Sequence, residues 1–348
     1  MSLDIVITGG AGHVGSYLVG PLLAQGNKVT VVDKLLFGVE SLVAYMSHPN
    51  FRLIQADLTD KDLPMCLHKC DVIIHLAALV GGPQCKAYHV QHANETRVVP
   101  AFPAIKPSPS IIDINQRLPE VLAHSRRNGC FFIYASTCSV YWIAEGMADE
   151  MAVVDPKGIY ASTKLAAEKA VVAAGGIVFR LGTIVGVSPR MRWDTLAHQL
   201  IAEATYDRVG VSITNGYYYR PFLTLPDLAF KLSRFLQREL SSHSKSIGQI
   251  YNVATTNIQK LALGERIVKM TATKMLVHTI TQEDEKDVRN YQVSVAKLHE
   301  LLKLDHVDGR MDGDAALTFE LQKVAILAKR LKDPWAERYY NHQEGVKS

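Results

Sequence analysis

The chain has 348 residues, 48% of them hydrophobic and 21% charged, a composition that allows a sizeable core and excludes a disordered protein. Its formal charge of +4, from 38 Lys and Arg against 34 Asp and Glu, is too balanced for a nucleic-acid binder, and no basic run interleaved with aromatics occurs. No apolar run approaches the roughly 20 residues of a membrane helix. The five scattered cysteines, Cys66, Cys70, Cys85, Cys130 and Cys138, suggest neither a disulfide framework nor a metal site. With no signal peptide ahead of the first strand, a cytoplasmic protein without metal, membrane or nucleic-acid partners is expected.

The elements alternate. Asp4–Thr8 is a short apolar run, the mark of a buried parallel strand, and 15–25 reads as a helix. Strands follow at Lys28–Asp33, 52–56 and 72–76. A helix over 116–128 precedes a strand over 131–135, and a helix over 160–173 precedes a strand at Ile177–Leu181. Such alternation predicts an α/β fold, a Rossmann-type doubly wound parallel sheet with helices on both faces. Beyond it come a helix over 193–204, an extended run over 217–225, a helix over 227–237 and a strand over 249–254. The rest, to about residue 331, reads as short helices and loops, with a loose polar tail from Asp333. Pro100, Pro103, Pro107 and Pro109 preclude a long helix between 86 and 112, which reads as an extended loop or lid. The expected division is a dinucleotide-binding domain over 1–182, with a strand returning near 249–254, and a smaller mixed domain over 183–348.

Between the first strand and first helix lies Thr8-Gly9-Gly10-Ala11-Gly12-His13-Val14-Gly15, with glycines at every third position. A tight turn needs a residue without Cβ, a pyrophosphate must approach backbone N–H groups closely, and the helix N-terminus supplies partial positive charge. Gly9, Gly12, His13, Val14 and Gly15 are thus candidate cofactor contacts. Asp33 ends the second strand, where a carboxylate accepts from both ribose hydroxyls and repels a 2′-phosphate; this favours NAD over NADP, although Lys34 is adjacent. Asp57 and Leu58 are placed to reach the adenine edge, with an acidic helix cap as the alternative for Asp57.

Tyr160 and Lys164 lie four apart on one helical face. The lysine's charge favours the phenolate, so Tyr160 is a candidate to remove or return a hydroxyl proton while hydride moves to or from a nicotinamide whose ribose Lys164 holds. Hydroxyls in Ser136-Thr137-Cys138-Ser139 emerge at the C-terminal edge of the sheet, where such folds bind ligands.

Taken in order, Thr8–Gly15, Asp33, Asp57, His75-Leu76-Ala77-Ala78, Asn115, Ser136–Tyr141, Tyr160–Lys164, Arg180 and Arg220–Asp227 resemble the extended short-chain dehydrogenase/reductase superfamily, in its NAD-dependent nucleotide-sugar epimerase/dehydratase branch. The resemblance covers roughly residues 3–260. It implies that Thr137, Tyr160 and Lys164 are catalytic, that Leu76, Ala77 and Ala78 line the dinucleotide, and that Asn115 is structural. By the same resemblance Arg220 grips the substrate diphosphate, and Thr183, Cys138 and Arg192 are further candidate substrate contacts. Arg190 is an alternative to Arg192, and a buried inert thiol is the alternative for Cys138. Cys138 and Ser139 stand where 4,6-dehydratases carry an Asp-Glu pair, which argues against dehydration. Trp142 replaces the usual glycine and either packs structurally or narrows the sugar pocket. The activity implied is epimerisation of a nucleotide sugar through a transient keto sugar, at C4 by preference. The alternatives are a net oxidoreductase or decarboxylase, and a cofactor-binding regulator. Relatives suggest a homodimer through a four-helix bundle of the helices over 116–128 and 160–173, with Ala161, Ala166, Ala167 and Ala170 allowing close approach.

Overall fold

A computed structural model describes residues 2–60, 65–80, 110–206, 211–239, 246–273, 275–278, 288–304 and 311–331. Its strands are β1 Asp4–Thr8, β2 Lys28–Asp33, β3 Phe51–Gln55, β4 Val72–His75, β5 Phe131–Thr137, β6 Ile143–Ala148, β7 Ile177–Leu181, β8 Thr183–Val185, β9 Val211–Thr214, β10 Tyr219–Thr224, β11 Ile250–Val253, β12 Thr256–Gln259, β13 Met275–His278 and β14 Asn290–Val293. Its helices are α1 His13–Ala24, α2 Leu118–Ser125, α3 Ile159–Ala173, α4 Leu196–Tyr206, α5 Leu225–Glu239, α6 Lys260–Thr271, α7 Ala296–Leu302 and α8 Gly313–Arg330.

The order β11-β7-β5-β4-β1-β2-β3 forms a seven-stranded sheet, parallel throughout. This is the expected doubly wound Rossmann-type sheet. Alternate residues of β1 serve its two faces. Ile5 and Ile7 join a core with Leu18 and Leu22 of α1 and Phe235 of α5. Val6 joins Leu122 of α2 and Val171 of α3 on the other side. The chain runs outward from β1 through β2 to β3, then reverses to β4 on the opposite flank of β1. That reversal opens a crevice at the carboxyl ends of β1 and β4, where ligands settle in open α/β sheets.

A second core joins α4, α6 and α8 over the three-stranded sheet β12-β10-β8, built on Trp193, Ile201, Phe222, Leu263 and Leu321. Two pairs, β9 with β13 and β6 with β14, complete the strands. No helix among the described residues is long and apolar enough to cross a membrane.

Several expected boundaries change. Strand β5 runs two residues past 135, because Ser136 and Thr137 pair with Arg180 and Leu181 of β7. The helix expected over 116–128 is a π-turn at Asp113–Arg117 followed by α2, which stops where Arg126 turns extended (ψ 153°). Helices α6 and α8 replace the short helices and loops expected near the C-terminus. Of the loop at 86–112, residues 86–109 lie outside the described residues, as does the tail from Asp333.

Candidate active site

A cleft of about 680 Å³ opens over the carboxyl ends of the parallel strands. The glycine loop forms one wall. Gly9 holds φ +72°, and a Cβ there would meet the Ala77 backbone nitrogen at 2.6 Å. A Cβ on Gly15 would strike the Gly10 Cα at 2.5 Å, whereas one on Gly12 meets only the Gly9 carbonyl, at 3.2 Å. Gly9 and Gly15 therefore lock the turn against β4 and against itself. Gly12 caps α1 and leaves its N-terminal amides open to the cleft. A pyrophosphate fits this cradle, and a larger residue at Gly9 or Gly15 would collide with the backbone that shapes it.

The adenosine end follows. Asp33 accepts the N–H groups of Ala11 (2.9 Å) and Leu35 (2.7 Å), one on each carboxylate oxygen. Burial raises its pKa above the ordinary carboxylate value, and the two amides and Arg190 oppose that rise. Lys34 pairs with Asp57 at 2.8 Å, and Asp57 also accepts from the N–H and hydroxyl of Thr59. Val14, Leu58, Leu76, Ala77 and Ala78 line the same stretch. His13 borders the cleft, but its buried imidazole is committed to the wall: Nδ1 donates to the Arg190 carbonyl at 2.9 Å.

The catalytic candidates meet across this cleft. Thr137 ends β5, and its hydroxyl accepts the Ser139 N–H at 3.1 Å. Tyr160 and Lys164 stand on α3, which starts after Gly158 at φ +87°. Lys164 is buried; its ammonium donates to the Ala135 carbonyl at 2.8 Å and lies 4.7 Å from the centre of the Tyr134 ring. Thr137, Tyr160 and Lys164 all line the cleft. Beneath them runs a network that sequence reasoning missed. Glu168, one turn beyond Lys164, pairs with Arg180 at 2.7 Å and accepts the Ser136 hydroxyl. Arg180 also donates to the Tyr141 hydroxyl (2.9 Å), which donates to Asn252 (2.8 Å). It fixes the end of β5, and so Thr137, to α3.

At the far end, Thr183, Arg192 and Arg220 line the cleft. Arg192 forms a two-bond pair with Asp194, at 2.9 and 2.8 Å. Arg220 is buried; it donates to the Tyr219 carbonyl and faces the Tyr291 ring at 5.8 Å. Arg190 does not duplicate Arg192. Its guanidinium sits 4.2 Å from the centre of the Phe37 ring, at the Asp33 end. Cys138 is corrected as a side-chain contact: its thiol is buried, donates to the Arg180 carbonyl at 3.1 Å, and is not among the lining residues. Its neighbour Ser139 takes that place, with Arg289 and Tyr291, two residues that sequence reasoning did not single out. Trp142 also lines the cleft, at φ +58°. The left-handed backbone explains why glycine suits this position and marks strain held at the site.

Residues 5–254 match the profile of the NAD dependent epimerase/dehydratase family. The chain belongs to this family. It is accordingly an NAD-dependent enzyme, which agrees with the cradle and with Asp33. Over 340 residues, 93% of this chain and 99% of the relative, it is 26% identical to an uncharacterized UDP-glucose epimerase of Bacillus subtilis (strain 168). A shorter match, 33% over 140 residues, links 40% of this chain to 26% of UDP-glucuronic acid decarboxylase 2 of Arabidopsis thaliana. Among solved structures, the UDP-glucuronic acid 4-epimerase of Bacillus cereus, in complex with UDP-glucuronic acid and NAD, shares the fold at TM-score 0.73 and 20% identity, over 93% of this chain and all of that one. The UDP-N-acetylglucosamine 4-epimerase of Methanobrevibacter ruminantium M1 does so at 0.71 and 21%, over 93% and 97%.

Proposed function

We propose that the enzyme epimerises a nucleotide-activated sugar at C4. The observation that carries this reading is the convergence of Thr137, Tyr160 and Lys164 on one cleft with a dinucleotide cradle, and with Cys138 and Ser139 where a dehydratase needs two carboxylates. NAD, when bound, supplies the hydride acceptor for a transient oxidation of the sugar and returns the hydride. Tyr160 holds the proton of the C4 hydroxyl: it accepts that proton as the keto sugar forms and gives it back as the alcohol is restored. Lys164 favours the phenolate by its charge. The Thr137 hydroxyl donates to the sugar oxygen and orients it. Arg220 grips the diphosphate through its planar fork. The proposed division of labour assigns residues 1–182 and the strand near 249–254 to the cofactor, and residues 183–348 to the sugar.

Incubation with UDP-, GDP-, CDP- and dTDP-sugars, followed by proton NMR, tests the reading. Inversion at C4 without net NADH is expected. Accumulating NADH or released CO₂ would support instead the oxidoreductase or decarboxylase chemistry that the shorter match suggests.

The homodimer belongs to the same proposal. Ala161 and Ala167 pack inside the protomer, which leaves the half-buried Ala166 and Ala170 and the exposed Val121 to meet a second copy. Light scattering at micromolar concentration decides between monomer and dimer.

A further inference from the structure

We propose that Cys70 and Cys130 are an oxidative modification site: hydrogen peroxide joins them in a disulfide that staples the amino ends of β4 and β5. The pair lies at the opposite end of these strands from the cleft, so it stands independent of the sugar reading.

Spacing along the chain suggests no disulfide framework, but the fold gathers three cysteines in one core. Cys70 and Cys130 are buried there, and the half-buried Cys66 packs against the same cluster. All three are free thiols. The Cys70 and Cys130 sulfurs stand 3.8 Å apart. A disulfide needs about 2.05 Å, so each sulfur has to move by roughly 0.9 Å. The backbone already suits the bond. Val72 pairs with Phe131 in parallel register, and the Phe131 N–H donates to the Asp71 carbonyl at 2.9 Å. Carried back one residue, this register sets Cys130 opposite Asp71, with Cys70 one step behind. Strands about 4.8 Å apart and a step of about 3.3 Å put the two Cα atoms roughly 5.8 Å from each other, inside the disulfide range of about 4.4–6.8 Å.

Two arginines hold this frame. Arg127 Nε donates to the Cys70 carbonyl at 2.7 Å, while the Arg127 carbonyl accepts the Cys130 N–H at 3.1 Å. Arg126 Nε donates to the Cys130 carbonyl at 3.0 Å. The same neighbours divide the work between the sulfurs. The Cys70 thiol, as hydrogen-bond donor, lowers the pKa of Cys130 against the effect of burial, and the charges of Arg126 and Arg127 lower it further. Cys70 is pushed up, first by Cys130 and then by burial. Cys130 is thus the nucleophile and Cys70 the thiol that resolves. Cys130 also follows the exposed turn at 127–129, which brings a molecule as small as peroxide to it.

The Cys130 thiolate attacks one oxygen of hydrogen peroxide; an S–O bond forms, the O–O bond breaks and hydroxide leaves, taking up the proton that Cys130 gave. The Cys70 sulfur then attacks the sulfenic sulfur. The S–S bond forms, the S–O bond breaks, and the expelled hydroxyl leaves as water with the Cys70 proton. Two thiols are oxidised, one peroxide is reduced and two waters result. The bond spans 60 positions, a loop that carries β4, the cofactor-wall residues Leu76, Ala77 and Ala78, and α2.

The test treats the reduced full-length protein with a few equivalents of hydrogen peroxide, alkylates it in denaturant and digests it without reductant. Mass spectrometry should find the Cys70 and Cys130 peptides linked and lighter by two hydrogens, and free thiols should fall from five to three. Dithiothreitol should reverse both. The thermal midpoint should rise by roughly 5–10 °C on oxidation, the effect of closing a loop of this length. Cys70→Ser and Cys130→Ser should each lose the link and the rise, and Cys70→Ser should hold a dimedone-reactive sulfenic acid at Cys130. Cys66→Ser should keep the link. Wild type without the Cys70–Cys130 link, or with Cys66 in the place of either partner, overturns the site. A link that forms without raising the midpoint overturns the staple. Wild type is read in both redox states, so a serine variant that fails to fold leaves the test intact.

Discussion

Lowering the pH from 7 to 5 should destabilise this protein steeply, for reasons that can be counted in histidines. His75 and His198 are buried, and burial is the main cause that holds their pKa values down, to about 3 and about 4 against an ordinary 6.5. The nearby Lys164 lowers His75 further. His13 is likewise buried and shifted well below 6.5, with His198 adding to the effect. Each is a base with a depressed folded pKa, so the fold holds the neutral form and the unfolded chain takes up the proton first. The stability is complete above pH 6.5 and is lost as the pH falls from 6.5 toward the folded values. At pH 5 His75 and His198 cost about 2 kcal/mol each, about 4 kcal/mol together, on the scale of 1.36 kcal/mol per pH unit and proton, and His13 adds in the same sense. That is a large share of a whole domain's stability of about 5–15 kcal/mol. Asp57 and Asp314, with lowered pKa values, act in the same sense but only below their ordinary 3.8, while the raised Asp33 acts oppositely. Urea unfolding followed by circular dichroism at pH 7, 6 and 5 measures the slope. It should correspond to about two protons at pH 5 from His75 and His198, with His13 adding to them, and His13→Phe should lower it. A wild-type slope below one proton, or a slope untouched by His13→Phe, would refute the reasoning.

Tyr160→Phe should lower turnover by roughly 10²-fold or more, the usual worth of a positioned acid–base group, with NAD binding by calorimetry nearly intact. Wild type should bind NAD more tightly than NADP, and Asp33→Ala should narrow the gap, the more so because Arg190 stands beside that carboxylate; equal affinities in wild type would contradict the assignment of Asp33. Glu168→Ala leaves Arg180 buried without its carboxylate and should cost about 3–5 kcal/mol in denaturant unfolding. Arg220→Ala should weaken nucleotide-sugar binding by about 1.5–3 kcal/mol, with lysine rescuing only in part, as read by calorimetry.

The parts of the fold legible in sequence were those fixed locally. Strand β1 announces itself as four consecutive buried residues after Asp4, and the glycine loop follows from backbone sterics alone. Helix α8 was hidden because its apolar pattern is smeared: Phe319 and Ile326 are about half exposed while Glu320 is buried. Strand β14 has only four residues, and its partner β6 lies far away in the chain, so no local signal could place Arg289 in the cleft. Glu168 was readable in part, since an acid one turn after Lys164 shares its helix face. What could not be read was its partner, Arg180 on β7, because that pairing is a tertiary fact. Trp142 shows the converse: the departure from glycine was visible, and only the backbone angle gave it a meaning.

The acid sensitivity and the catalytic geometry share one cause. Residues 188–192 cross the cofactor loop, and the contact is made by hydrogen bonds from serines and from two buried histidines. Ser188 donates to the His13 carbonyl at 2.6 Å and meets the Ser16 hydroxyl at 3.0 Å, and the Arg190 N–H reaches that same hydroxyl. His13 Nδ1 and His198 Nδ1 then bond the carbonyls of Arg190 and Arg192, at 2.9 and 2.7 Å. A carbonyl partner requires the proton to sit on Nδ1 in both rings. His198 Nε2 is left to accept the Gly186 N–H, while His13 Nε2 is buried with no hydrogen-bond partner among the described residues. A second proton therefore breaks a bond at His198 and finds no acceptor at His13. Since the rings meet edge to face, 5.5 Å apart, the two charges would also repel. The segment so loosened carries Arg190 toward Asp33 and Arg192 toward Asp194, one at each end of the cleft. Protonation that unfolds the chain must on the way displace the two arginines that frame its ligands, so loss of ligand affinity and loss of stability belong to the same titration.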